Sequence, residues 1–237
     1  MTAIASNLQA VNNVIAQAVR TAQRHREEIP LLAVSKSFPA AAVREACQAG
    51  QRAFGESYLQ EALDKIEALH DLPLQWHFIG PIQSNKTRAI AEHFSWVHSV
   101  DRLKVAERLS AQRPPNLPPL NVCIQVNVSS EASKGGVVPH DLTQLALAVA
   151  RLPRLSLRGL MAIPAPAHGL DEQRMPFARL RELSQQLNAQ GLALDTLSMG
   201  MSDDLEAAIL EGATIVRVGT AIFGQRIFGQ RNTGENK

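Results

Sequence analysis

Leu31-Leu32-Ala33-Val34-Ser35-Lys36 is an apolar run that ends in a lysine, and Ser37-Phe38-Pro39 follows it. A short apolar run closed by a proline predicts a buried strand, and the lack of alternation is typical of parallel strands covered on both faces. The lysine itself has two interpretations. Lys36 either extends its ammonium past the strand into water, or it is desolvated, which lowers its pKa and lets the amine condense with an aldehyde.

Seven more strand patterns follow, and helical patterns separate them. The eight predicted strands cover residues 31–36, 52–56, 74–79, 96–100, 120–128, 155–163, 194–199 and 214–218. Strands that alternate with helices form parallel sheets, so eight such units predict a closed (β/α)8 barrel, with an open doubly wound sheet as the alternative. We therefore expect a single α/β barrel domain over residues 1–237. An extra N-terminal helix lies within 1–28 and a loose polar tail covers 225–237.

The composition excludes several classes of partner. The 237 residues have a net charge of only +2, without a basic block, so nucleic acids and anionic membranes are weak candidates. Cys47 and Cys123 are the only cysteines, and their spacing fits neither a disulfide framework nor a metal site. The N-terminus lacks a signal pattern, and no apolar stretch is long enough to cross a bilayer. We expect a cytoplasmic protein without a bound metal.

Polar residues collect at the predicted carboxyl ends of the strands, where barrels of this type place their active sites. They comprise Lys36 after the first strand, Ser57 and Tyr58 after the second, His77 on the third, Ser198-Met199-Gly200-Met201-Ser202 after the seventh, and Arg217-Val218-Gly219-Thr220 after the eighth. Because all strands are parallel, we expect these residues at one opening of the barrel.

Two of these turns have the composition of an anion-binding site. Ser198 and Gly200 precede a predicted helix start, where free backbone N–H groups favour phosphate. Gly219 and Thr220 offer a second glycine amide and a hydroxyl. The alternative is ordinary turn chemistry, with glycine at positive φ and serine as a helix cap. Barrels often hold phosphate after strands seven and eight, which favours the anion site when both turns are taken together.

A phosphate clamp and a strand-end lysine at one opening predict pyridoxal 5′-phosphate (PLP) as the cofactor. Its aldehyde would bind Lys36 as a Schiff base, and its phosphate would bind the two turns. Arg217 would then lie at the pyridine nitrogen and keep it unprotonated, because a permanent cation disfavours a second positive charge. An ion pair in the barrel mouth is the alternative for Arg217.

Other residues at this opening compete for the same roles. Lys86 and Lys134 are the rival lysines, and both are expected to be solvated or to meet phosphate rather than the aldehyde. His77 points either into the barrel or at the ligand, and a structural histidine with satisfied hydrogen bonds is the alternative to a cofactor contact.

Several long motifs resemble the YggS family of pyridoxal phosphate homeostasis proteins. They are Leu31-Leu32-Ala33-Val34-Ser35-Lys36, Phe54-Gly55-Glu56, Trp76-His77-Phe78-Ile79-Gly80, Gln83-Ser84-Asn85-Lys86, Gly159-Leu160-Met161-Ala162-Ile163, Ser198-Met199-Gly200-Met201-Ser202-Asp203-Asp204 and Val216-Arg217-Val218-Gly219-Thr220-Ala221-Ile222-Phe223-Gly224. The resemblance covers nearly the whole chain, and the motifs occur in order.

The resemblance implies a barrel like the N-terminal domain of alanine racemase. It also implies an aldimine at Lys36 and Arg217 beside the pyridine nitrogen, with phosphate held near Ser198, Gly200, Gly219 and Thr220. This chain departs from the family at one position. The family usually has Gly-Glu-Asn-Tyr where this chain has Gly55-Glu56-Ser57-Tyr58, and the serine reaches less far toward the cofactor ring.

Three functions are compatible with this picture. The first is a protein that binds, buffers or delivers PLP, with cofactor-free enzymes as candidate recipients. The second is an amino-acid racemase, which needs an acid or base on each face of the substrate α-carbon. The sole tyrosine, Tyr58, is predicted in the helix after the second strand, with a position at the barrel mouth as the alternative, and we expect no second domain of the alanine racemase type. We therefore expect a monomer without robust turnover. The third is a structural module without cofactor.

Overall fold

The computed structural model describes residues 2–129 and 135–225, and within them eight parallel strands alternate with nine helices. The strands are β1 (Leu31–Val34), β2 (Ala53–Glu56), β3 (Gln75–Phe78), β4 (Trp96–Val100), β5 (Leu120–Gln125), β6 (Leu155–Met161), β7 (Thr196–Ser198) and β8 (Val216–Val218). The helices are α1 (Ala3–Thr21), α2 (Ala40–Gln48), α3 (Leu59–Ala68), α4 (Thr87–His93), α5 (Leu103–Gln112), α6 (Pro139–Ala150), α7 (Leu170–Ala189), α8 (Leu205–Leu210) and α9 (Thr220–Phe223).

The sheet closes on itself. Its strands are hydrogen-bonded in the order β7-β6-β5-β4-β3-β2-β1-β8, so β8 pairs with β1. A parallel bridge between Ser198 and Ile215 joins the two remaining edges, and the N–H of Met199 donates to the Ile215 carbonyl at 3.1 Å. The prediction of a (β/α)8 barrel is therefore confirmed, and the open sheet is excluded.

Strand residues alternate between two separate apolar layers, as the two-residue period of a strand requires. Residues that face outward, such as Phe54 and Phe78, join the helices in the large outer core. The inward-facing apolar residues form a small inner cluster, which comprises Leu32, Trp96, Cys123, Met161 and Ile215. The rest of the barrel interior holds buried polar side chains, which are described below.

The predicted N-terminal helix exists but is shorter than the apolar spacing suggested. Helix α1 begins after Thr2, whose hydroxyl accepts from the N–H of Ala5, and packs its buried face against α2, α8 and α9. It ends at Thr21 because Gln23 adopts a left-handed φ of 53°, which an α-helix cannot continue. A separate 3-10 turn, Arg26–Glu28, then leads into β1.

Ser57 and Asp101 precede α3 and α5 in the sequence and belong to residue types that often cap helices, but neither does so here. Ser57 does not cap α3, because the helix begins two residues later and its N-cap residue is Tyr58. The Ser57 backbone instead packs against Gly80, where a Cβ would lie 2.2 Å from the Ser57 carbonyl oxygen. Asp101 does not cap α5, because the N-cap residue of this helix is Arg102. The Asp101 carboxylate instead forms an ion pair with Arg102 at 2.7 Å.

Two further observations concern membrane-spanning helices and the C-terminal tail. Among the described residues, no helix combines the length and the apolar content needed to cross a bilayer. The predicted loose tail lies outside the described residues, except for Gln225.

Candidate functional site

Lys36 lies in the turn that follows β1. The N–H of Ser35 donates to the Gly55 carbonyl at 3.1 Å, so strand pairing continues one residue past β1. Alternation along this extended segment places Lys36 on the same side as Leu32, which belongs to the inner cluster. The turn closes where the N–H of Phe38 donates to the Ser35 carbonyl at 3.1 Å. Lys36 is half-buried, so its amine lies at the barrel mouth and not deep in the core.

The turn after β8 lies beside this lysine. Strand β8 pairs with β1 in a register that sets Arg217 opposite Leu32. Two residues later, a Cβ on Gly219 would lie 3.1 Å from the Val34 carbonyl oxygen. Since Val34 is only two residues, or about 7 Å, before Lys36, the backbone of the Lys36 turn and the β8 turn are neighbours at the mouth.

Arg217 is buried inside the barrel. Its Nη1 donates to Ser198 Oγ at 2.9 Å and its Nη2 to the Ala162 carbonyl at 2.9 Å. Burial lowers the pKa of Arg217 to about 10, although the Asp204 carboxylate opposes this shift. The guanidinium therefore remains charged at neutral pH. It is a fixed cation on the wall of the barrel, one strand away from the lysine.

A chain of hydrogen bonds connects Arg217 to two histidines across the barrel interior. His98 Nδ1 lies 2.7 Å from Ser198 Oγ, and His98 Nε2 lies 2.9 Å from His77 Nδ1. Burial lowers the pKa of His77 to about 3 and that of His98 well below its ordinary value, so both rings are neutral at neutral pH. The neutral rings can each donate on one nitrogen and accept on the other, which lets this chain fix the Ser198 hydroxyl and, through it, Arg217.

His77 lies in the barrel interior, where its Nδ1 pairs with His98 and its Nε2 has no hydrogen-bond partner among the described residues. Its ring stacks on Trp96 with centroids 5.5 Å apart. It also lines a cavity of ≈ 140 Å³ together with Pro30, which precedes β1, and Gln75, which begins β3. These two residues mark the end of the barrel opposite to Lys36. His98 was missed by the sequence analysis, although its place two residues after Trp96 on a strand next to β3 could have indicated it.

The two predicted phosphate turns lie side by side. The N–H of Arg217 donates to the Gly200 carbonyl at 2.9 Å, which joins the turn after β7 to β8. Gly200 has a φ of 91°, and a Cβ there would lie 2.5 Å from Ala208 Cβ, so only glycine fits. Thr220 begins α9 and is exposed. The Ser198 hydroxyl, however, faces Arg217 and His98, so only backbone groups of the Ser198–Gly200 turn can extend toward a phosphate.

The other predicted residues are distributed as follows. Ser57 is half-buried at the end of β2, on the inward side by alternation from Gly55. Tyr58 is 53% exposed, which places it outside the barrel interior. Lys86 is exposed at the end of a 3-10 turn, whereas Lys134 lies outside the described residues.

Comparisons with known proteins agree with this geometry. The family model described as "Alanine racemase, N-terminal domain" matches residues 6–227. A protein of Pseudomonas aeruginosa named "Pyridoxal phosphate homeostasis protein" is 66% identical over 226 residues, which cover 95% of this chain and 97% of that protein.

Two solved structures resemble the barrel. The structure of PipY from Synechococcus elongatus with PLP bound has a TM-score of 0.82 at 40% identity, and the match covers 93% of this chain and all of that chain. Alanine racemase from Corynebacterium glutamicum shares the fold alone, with a TM-score of 0.68 at 16% identity over 97% of this chain and 63% of the racemase. The chain therefore belongs to the alanine racemase N-terminal domain family and, within it, to the pyridoxal phosphate homeostasis proteins.

Proposed function

We propose that this chain binds PLP through Lys36 and takes part in the homeostasis of this vitamin B6 cofactor, without robust turnover. The names of its relatives and the PLP in the PipY structure support the cofactor. The observation that carries the proposal is the contact between Gly219 and Val34, because it brings the turn after β8 next to the half-buried lysine at the barrel mouth.

Each part of the cofactor finds a chemically suitable residue. When bound, PLP supplies an aldehyde and an electron-withdrawing pyridine ring. Lys36 offers the amine that holds the aldehyde, and Arg217 offers a cation that disfavours protonation of the pyridine nitrogen. The backbone of the Ser198–Gly200 turn and the Gly219–Thr220 turn, with the exposed Thr220 hydroxyl, would hold the phosphate.

The remaining predicted residues have smaller roles in this proposal. Ser57 faces the mouth from the end of β2 and completes the wall beside the cofactor ring. Ser198 and His98 fix Arg217 by hydrogen bonds, and His77 contributes only through His98.

A carrier role fits this mouth better than a racemase does. The sole tyrosine, Tyr58, is half-exposed at the start of α3, which does not favour a role opposite Lys36. A half-buried lysine at an open mouth gives poor exclusion of water, which a carbanion would need, but it permits exchange of the cofactor. We propose a cytoplasmic monomer that supplies enzymes lacking their cofactor.

Absorption spectroscopy with borohydride reduction tests this proposal. Purified protein mixed with PLP should develop a visible absorption band, which borohydride abolishes by fixing the cofactor to the chain. Peptide mapping should then place the label on Lys36. The variant Lys36→Ala should lose this label, whereas Lys86→Ala, which changes an exposed lysine, should keep it. A wild-type label that maps to another lysine, or no band at all, would contradict the proposal.

A further inference from the structure

A buried ion-pair cluster lies behind the Lys36 turn. Ser35 and Glu56 alternate with the inward-facing residues of their strands and so point outward, into the layer between the strands and α3. Both side chains are fully buried, and Lys65 of α3 is only 4% exposed between them. Ser35 Oγ donates to Glu56 Oε1 at 2.6 Å, and Lys65 Nζ donates to the same oxygen at 2.8 Å.

This cluster binds the peptide groups on both sides of Lys36. Lys65 Nζ donates to the backbone carbonyl of Ser35 at 2.7 Å. Glu61 Oε1 accepts from the backbone N–H of Ser37 at 2.6 Å. Lys65 and Glu61 are themselves paired at 2.5 Å, four residues apart on α3. The residue before Lys36 and the residue after it are thus held by one helix.

The backbone of the turn needs such support. Ser37 has a φ of 67°, which residues other than glycine rarely adopt, and such a conformation persists only where the surroundings enforce it. Without the bond from Ser37 to Glu61, the turn could relax and move the Lys36 side chain away from the β8 turn.

The buried charges of this cluster also indicate that it holds the Lys36 turn in place. Burial raises the pKa of Glu56, while Lys65 and Ser35 oppose the shift. Among the described residues, no group binds the second carboxyl oxygen of Glu56. Apolar side chains of similar volume would fasten α3 to the strands at least as well as such a cluster does. A role in fixing the local geometry of the turn explains why charged residues occupy this position.

We propose that Lys65 and Glu61 are positioning residues, which hold the Lys36 turn in the conformation that presents its amine to the aldehyde of PLP. The inference rests on the proposed function. Lys65 and Glu61 act on the opposite face of the wall from the cofactor, so they affect covalent capture through the backbone of residues 35–37 and not by contact with PLP.

The test compares covalent capture with non-covalent binding. Pyridoxine 5′-phosphate carries the ring and phosphate but no aldehyde, so its affinity reports on the Arg217 and phosphate side without the lysine. We expect Glu61→Leu and Lys65→Met to slow the appearance of the PLP absorption band by about 10-fold to about 100-fold, as for a reacting group displaced by about 1 Å. The affinity for pyridoxine 5′-phosphate should stay close to that of wild type.

Two further variants make the result specific. Glu61→Gln keeps an acceptor for the Ser37 N–H and should capture PLP faster than Glu61→Leu. Asp64→Leu changes an exposed residue one turn along the same helix, whose carboxylate accepts a hydrogen bond from Gln60, and should behave as wild type. Because Lys65→Met disturbs a buried pair and could prevent folding, the half-buried Glu61 provides the decisive comparison.

The outcomes separate the inference from the function it rests on. Wild-type capture rates in Glu61→Leu, or an equal loss of both capture and pyridoxine 5′-phosphate affinity, would overturn the positioning role while leaving the proposed function intact. A wild-type protein that binds neither ligand would overturn the proposed function, and the positioning role with it.

Discussion

The Nη1 of Arg217 donates to the hydroxyl of Ser198 at 2.9 Å, inside the barrel. This contact changes the interpretation of Ser198. The residue was expected at the phosphate, but its hydroxyl is fully buried between Arg217 and His98. Ser198 thus belongs to the group that fixes Arg217, the cation at the predicted pyridine nitrogen, and we propose that the phosphate side begins with the backbone that follows Ser198.

The first prediction concerns this hydroxyl. Ser198→Ala removes the partner of both Arg217 and His98, so two buried polar groups lose a hydrogen bond. We expect the free energy of unfolding to fall by about 1–3 kcal/mol, measured by urea denaturation. Ser202→Ala, at an exposed position in the same turn, should change it by less than about 0.5 kcal/mol. Equal effects of the two variants would mean that the Arg217–Ser198 bond adds nothing to stability.

The buried histidines make stability depend on pH. The folded-state pKa of His77 is about 3, below its ordinary value of 6.5, so between these values the unfolded chain binds a proton that the folded chain does not. Stability from this residue is therefore present above pH 6.5 and decreases as the pH falls toward 3. His98 acts in the same direction.

The variant His77→Gln tests this dependence. Glutamine keeps a donor and an acceptor but does not titrate. Between pH 6 and pH 4.5, the slope of the unfolding free energy against pH should be smaller in the variant than in wild type by at most about 1.4 kcal/mol per pH unit. Groups away from His77, such as Glu56, contribute equally to both proteins and cancel, whereas the pKa of His98, which His77 also lowers, changes with the substitution. Parallel curves for the two proteins would show that His77 is not held neutral by the fold.

Gly200 allows a comparison with a matched glycine. Its φ is 91° and a Cβ would lie 2.5 Å from Ala208 Cβ, whereas Gly191 has a φ of 95° and no atom within 4 Å of its Cβ position. Alanine therefore strains the backbone at both sites but clashes at only one. We expect Gly200→Ala to lower the unfolding free energy by about 1–3 kcal/mol more than Gly191→Ala. An equal loss of unfolding free energy in the two variants would show that the turn after β7 can shift to accommodate the added Cβ.

Catalysis is tested with a panel of L-amino acids. Because Tyr58 is 53% exposed, we do not expect it to act on the substrate face opposite Lys36, and racemisation should be no faster than with free PLP. Chiral chromatography measures the D-isomer formed. Racemisation that exceeds the free cofactor and is lost in Lys36→Ala would establish an enzyme, and Tyr58→Phe would then show whether the tyrosine takes part.

The sequence predicted what local patterns determine. Eight alternating units, the barrel and the family are confirmed, and the two-residue period of β1 predicts that Lys36 faces inward at the mouth. The contacts that the sequence did not predict join distant strands or opposite faces. The bond from His98 to Ser198 spans 100 residues and depends on how far neighbouring strands are shifted along the barrel. Lys65 was overlooked because a lysine in a helix is usually exposed.

The last prediction concerns the phosphate. Thr220 is exposed at the start of α9, next to Gly219 and hence close to Val34 and the Lys36 turn. Thr220→Val keeps the shape of the side chain but removes the hydroxyl. If this hydroxyl donates to a charged phosphate oxygen, its loss costs about 1.5–3 kcal/mol, which corresponds to about 10-fold to about 150-fold weaker retention of PLP in equilibrium dialysis. Thr21→Val, on the exposed face of α1, is the control with the same chemical change and should retain PLP as wild type does. Unchanged retention in Thr220→Val would remove Thr220 from the phosphate site and leave the backbone amides of the two turns as its ligands.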